Sequence, residues 1–146
     1  MDAVLARIAT AGRLIGYPIW YMSSYTNNLC KFRVYGDDMT VKGQLIFTIY
    51  NSEYRKAGEP TEKCIFVETI RNFSGYKGLG QDLLTLLIHD ACRIRFPILL
   101  SATPGQMEGK PPEKLYKFYE SMGFRRIGAL EHAGTHGESQ EFRFDL

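Results

Sequence analysis

Three glycines within six residues, Gly75-Tyr76-Lys77-Gly78-Leu79-Gly80, constrain this chain more than any other segment. They follow an apolar run of strand character, residues 64–70, and precede a helical pattern from Gln81 to about Arg95. Glycine lets the main chain turn sharply and approach a ligand with no Cβ in the way. The first helical turn beyond it offers unpaired N–H groups and the positive end of the helix dipole. Strand, glycine turn and helix together make a place where a phosphate can bind. A turn that merely joins strand to helix has the same composition, so the segment needs a second signal.

The surrounding pattern predicts one layered unit. Residues 2–14 carry Val4, Leu5, Ile8 and Ala9 at helical spacing, and Gly16 and Pro18 end that helix. Tyr17, Trp20, Tyr21 and Tyr25 follow with no clear period, which leaves strand, small helix and loop open there. In 28–35, Lys31, Arg33 and Tyr35 alternate with Cys30, Phe32 and Val34, the mark of a half-buried strand. Gly36-Asp37-Asp38 is a turn, and 41–50 is a second strand that pairs back as an antiparallel hairpin. Residues 51–63 are polar and predict an exposed loop before the strand at 64–70. Leu83, Leu84, Leu86, Leu87, Ala91 and Ile94 form the broad stripe of a helix lying on a sheet, which Pro97 ends. A short strand at 98–102 follows. Pro112 opens and Gly123 closes a helix over 113–122, and two strands, 125–131 and 140–146, finish the chain. The order predicts an α+β fold around one sheet.

Composition removes several function classes. The 146 residues, 45% hydrophobic, suffice for one domain over 1–146 with a core of its own. A formal charge of +2 does not indicate a nucleic-acid protein. Cys30, Cys64 and Cys92 are scattered, with no C-x-x-C pair, which suits a reducing compartment. No apolar segment is long enough to cross a membrane, and the first residues lack a signal-peptide pattern; a cytoplasmic location is expected. His132 and His136 are four apart, but Gly134 and Gly137 speak against a helix there, and no metal site is expected. His89 and Cys92 read as ordinary residues of the long helix.

Two familiar phosphate motifs do not fit the glycine turn. No Gly-Lys-Ser or Gly-Lys-Thr occurs, which removes a Walker loop. A dinucleotide fingerprint would start at Gly78 and Gly80 but meets Leu83 at its third position. The segment is similar instead to the acetyl-CoA turn of the GNAT superfamily of N-acetyltransferases, Arg/Gln-x-x-Gly-x-Gly/Ala. Gly78-Leu79-Gly80 supplies its second half, and Gly75 stands where Arg or Gln is usual. The second signal lies about forty residues on. Leu115-Tyr116-Lys117-Phe118-Tyr119-Glu120-Ser121-Met122-Gly123-Phe124 resembles the GNAT segment A-x-x-[FL]-Y-E-K-x-G-F. The resemblance covers residues 64–128.

The resemblance implies a GNAT-like mixed, mostly antiparallel central sheet flanked by helices, and direct acetyl transfer from acetyl-CoA to an amine acceptor. It implies that Tyr119 protonates the departing thiolate, with Tyr116 as a second candidate. A phenol suits a thiol leaving group in acidity. Glu68 is the candidate for receiving the amine proton, ahead of Glu62 and Glu53; strand alternation puts it on the same face as Ile70. The main chain at Thr69, Ile70 and Arg71 would pair with pantetheine, and amides near 67–70 would polarise the thioester carbonyl. Gly75, Tyr76, Lys77, Gly78, Leu79, Gly80 and Gln81 would hold the pyrophosphate. The N-terminal part is short for the family, so the acceptor site is either unusual or completed by a second subunit, as in a homodimer. The rival reading is a non-catalytic GNAT-fold module that binds acyl-CoA. A third, an interaction domain using the cluster around Trp20, predicts no affinity for CoA.

Overall fold

The computed structural model of the chain describes residues 19–23, 29–35, 40–50, 62–73, 78–103 and 111–146. The helix expected over 2–14, the turn at 36–38 and most of the polar loop lie outside them. Among the described residues, seven strands make one sheet: β1 (Ile19–Ser23), β2 (Leu29–Tyr35), β3 (Val41–Tyr50), β4 (Cys64–Asn72), β5 (Ile98–Ala102), β6 (Arg125–Glu131) and β7 (Ser139–Phe144). Their order across the sheet is β1-β2-β3-β4-β5-β7-β6. Every neighbouring pair is antiparallel except β4 and β5. Of the three readings open for the aromatic stretch, the strand is found over Ile19–Ser23, with Trp20 opposite Arg33, while Tyr17 and Tyr25 lie outside the described residues.

Two helices are described, α1 (Leu79–Ile94) between β4 and β5, and α2 (Pro112–Ser121) between β5 and β6. Both connections step across the sheet in one direction, and right-handed crossovers then put both helices on the same face. The contacts agree. Gly43 of β3 lies under Leu79, while the Tyr116 and Tyr119 rings lie 5.9 and 5.4 Å from that of Phe142 on β7. This helical face holds the core: Cys30, Phe32, Leu45, Phe47, Ile65, Val67, Ile98, Leu100 and Phe142, covered by Leu79, Leu83, Leu84 and Leu87. Burial of that apolar surface is the main source of stability. The close fit at Gly43 is tight, since a Cβ there would stand 2.7 Å from Leu79 Cδ2.

β6 is the outer strand, largely exposed. Arg126 fastens it to α2, bonding Glu113 at 2.5 Å and Glu120 at 2.9 Å over the Tyr116 ring. No described helix is long and apolar enough to cross a membrane.

Candidate active site

The sheet is incomplete at its centre. β4 pairs with β5 through Ile65–Ile98, Phe66–Leu99 and Val67–Leu100, and the pairing stops there. Yet β4 runs on to Asn72 and β5 to Ala102. Beyond Val67 the two strands therefore diverge and leave a wedge between them. At the same point β4 carries a β-bulge against β3: Phe47 faces Val67, Ile46 faces Thr69, and Glu68 is the extra residue. A bulge bends and twists the strand that bears it, so it sits where β4 must turn away from β5.

The bulge also re-aims side chains. Counting alternate residues put Glu68 and Ile70 on one face; the extra residue separates them. Ile70 pairs with Leu45 and lies under α1, its Cδ1 3.9 Å from where a Cβ of Gly80 would stand. Glu68 is exposed on the opposite face, where Thr48 Oγ1 donates to its Oε1 at 3.1 Å. The main chain past the bulge follows from one bond. Phe73 N–H donates to Lys42 O at 2.8 Å, which makes that pair hydrogen-bonded. Alternation then directs the amides and carbonyls of Arg71 and Thr69 to β3 and those of Ile70 and Asn72 into the wedge. Of the three residues expected to offer main-chain contacts, Ile70 alone is free to do so, because Thr69 and Arg71 are committed to β3.

β4 then leads to the glycine turn. Gly75, Tyr76 and Lys77 lie outside the described residues. Gly78 caps α1 with φ +92°, a left-handed conformation that side chains oppose. It has no side-chain cap, and Asp82 N–H donates to Gly78 O at 2.9 Å, the bond that starts the helix. The amides of Leu79, Gly80 and Gln81 thus have no partner within the helix and point out of its end. The helix begins at Leu79, two residues earlier than expected. Leu79 itself is fully buried, so its side chain anchors the turn while its amide remains available. Nothing among the described residues requires glycine at position 80, where a Cβ would meet ordinary contact only.

Tyr119 is buried on the helical face, its ring edge-on to Phe118 and Phe124 and tilted against Phe142. Phe142 is the register partner of Leu100, which pairs with Val67, the last row before the wedge opens. Burial pushes its phenol up to about 12, so it stays protonated in neutral solution. Tyr116 is differently placed. Its hydroxyl donates to Glu138 Oε2 at 2.6 Å, and burial, then that bond, drives its pKa upward. Its proton is held by a carboxylate, which leaves Tyr119 as the free phenol. Glu138 was not singled out by the sequence, since it lies in a turn with no periodic pattern. The Gly134 amide, then Tyr116, holds its carboxyl below the usual range. Glu62 is occupied by Arg143, which donates to both its oxygens and lowers its pKa. Glu53 lies outside the described residues.

No protein-family model matches the chain, and no curated protein matches it by sequence. Solved structures do match. NAA60 of Arabidopsis thaliana, in complex with acetyl-CoA, aligns with a TM-score of 0.58 and 17% identity, over 99% of this chain and 95% of that one. A GNAT-family acetyltransferase of Staphylococcus aureus aligns at 0.57 and 13% identity, over 85% and 72%. The spermidine/spermine N-acetyltransferase SpeG of Vibrio cholerae aligns at 0.55 and 17% identity, over 82% and 66%.

Proposed function

We propose that this chain, which has the fold of the GNAT acetyltransferases, transfers an acetyl group from acetyl-CoA to an amine. The observation that carries the reading is the wedge. β4 leaves β5 after Val67, bulges at Glu68, and ends in a left-handed glycine that starts a helix. Pantetheine would lie along the free edge of β4 at Ile70, as an added strand. The amides of Leu79, Gly80 and Gln81 would face the pyrophosphate. Acetyl-CoA supplies the acetyl group as a thioester. Glu68 and Tyr119 belong to opposite faces of the sheet on either side of the wedge. In our reading Glu68 receives the proton of the attacking amine on one face. On the other, Tyr119 gives its proton to the sulfur as the carbon–sulfur bond breaks. One proton leaves nitrogen, one reaches sulfur, and the amide product is neutral. Cys30, Cys64 and Cys92 are not joined in a disulfide, which goes with a cytoplasmic site of action.

Calorimetry with acetyl-CoA tests the reading, using Gly80→Trp as the control. The variant places an indole where the pyrophosphate would approach, at a position with room for a side chain. Binding by the parent, its loss in the folded variant, and consumption of thioester with an amine panel are expected. Binding without consumption would mean a non-catalytic acyl-CoA module. No binding by the folded parent would sink both.

A further inference from the structure

The face opposite the helices carries a row of side chains that the transfer chemistry does not use. Arg33 of β2 is the register partner of Gln44 of β3, which is the partner of Arg71 of β4. Paired residues point to the same face, and strands are about 4.8 Å apart, so the two arginines start about 10 Å from each other with Gln44 between them. Lys31 stands on the same face two residues before Arg33. Glu68 is the acidic residue on this face of β2 to β4, and its carboxylate is bonded to Thr48. Arg71 lies on the part of β4 beyond its last pair with β5, so the row borders the wedge.

None of the three cations forms an ion pair among the described residues. Arg33 is half-buried, and its Nε is shut off from water with no hydrogen-bond partner. A guanidinium nitrogen shielded from solvent and left without a partner is unfavourable. A carboxylate is the group that matches its planar donors in pairs.

We propose that Arg33, Gln44 and Arg71 bind the carboxylate of an acid-bearing amine acceptor; this rests on the N-acetyltransferase reading above. The acceptor's amine lies at Glu68 and its carboxylate at the row, about three residues away along β4 or roughly 10 Å before side-chain reach is counted. The substrate class is therefore an amine separated from its carboxylate by several bonds. A polyamine of the same length meets three like charges and is disfavoured.

The test compares 6-aminohexanoate with 1,6-diaminohexane, probes of equal chain length and opposite terminal charge. The parent is expected to show a kcat/KM at least tenfold higher for the acid. That ratio is expected to fall about tenfold in Arg33→Gln and in Arg71→Ala, mainly through KM. Arg71 is exposed, so its variant keeps the test valid if Arg33→Gln fails to fold. Ligand-observed NMR of 6-aminohexanoate supplies a readout independent of turnover. A preference for the diamine, or an acid preference that survives both variants, overturns the row while leaving the transferase reading intact. Absence of turnover with arginine-dependent binding of 6-aminohexanoate supports the row and refutes the transferase reading. Absence of both turnover and binding of the acid overturns the row.

Discussion

Three residues of the site make separable demands on the chain. Tyr119 is a phenol kept protonated by burial, and protonated is the form a general acid requires. Replacing it with Phe keeps the ring that packs on Phe124 and Phe142 and removes the proton. We expect Tyr119→Phe to lower kcat about a hundredfold with acetyl-CoA affinity retained, as read by steady-state kinetics beside calorimetry. Because burial lifts the phenol to about 12, the donor is lost only as pH nears that value. The parent should show no falling limb from Tyr119 in the accessible alkaline range. A limb near pH 9 that vanishes in Tyr119→Phe would contradict the burial-raised pKa, because the phenol would then lose its proton well below 12. The two glycines at the head of α1 should respond in opposite ways. Gly78 is left-handed, so Gly78→Ala costs roughly 1–2 kcal/mol of stability. Gly80 is helical with space beside it, so Gly80→Ala should melt no lower than the parent and still weaken acetyl-CoA about tenfold, near 1.4 kcal/mol. Unchanged affinity in Gly80→Ala would mean that the close approach is made elsewhere.

At the scale of elements, the placement of α2 decides where Tyr119 stands. Tyr116, one turn earlier, ties the helix to the start of β7 through Glu138, and Gly134 N–H donates to the other carboxylate oxygen at 2.8 Å. Tyr116→Phe should destabilise the fold by roughly 1–3 kcal/mol, measured by urea unfolding at pH 7. The folded pKa of Glu138 is depressed below the ordinary 4.5. Its contribution is therefore complete above the unfolded value and lost as pH falls through the lower folded one. The stability gap between parent and Glu138→Gln should narrow on acidification below pH 4.5; a gap that widens there would contradict the assignment. Most elements were legible because their periodicity is strong. Cys30, Phe32 and Val34 alternate cleanly, and the leucines of α1 leave one possible face. Glu68 was misplaced because a count of alternate residues assumes an unbroken ladder, and the bulge lies where β4 and β5 part, a feature of strand pairing that local periodicity does not carry. Glu138 was invisible for a related reason: its partners, Tyr116 and Gly134, are fixed by the hairpin closing over α2. Gly43 did carry a signal, a lone glycine within a strand, which marks close approach by another element.

Across the whole molecule, the sheet is two blocks, β1 to β4 and β5-β7-β6, joined by three residue pairs. A ligand strand laid in the wedge would link them over the length that β4 and β5 do not share. Two measurements follow from that geometry. Acetyl-CoA at a hundredfold excess over its Kd should stabilise the fold by about 2.7 kcal/mol, visible as a higher melting temperature. Hydrogen exchange locates the cause. The amides of Ile70 and Asn72 point into the wedge and should exchange quickly in the free protein, then slow on addition of acetyl-CoA. Those of Thr69 and Arg71 point to β3 and should be slow in both states. The alternation matters more than the overall protection, because tightening of the whole sheet would slow all four together. Protection that appears first at Thr69 and Arg71 would place the ligand on another edge. Protection at Ile70 and Asn72 alone would mean that the free edge of β4 is used as a strand is used, with the ligand completing the sheet where the chain leaves it open.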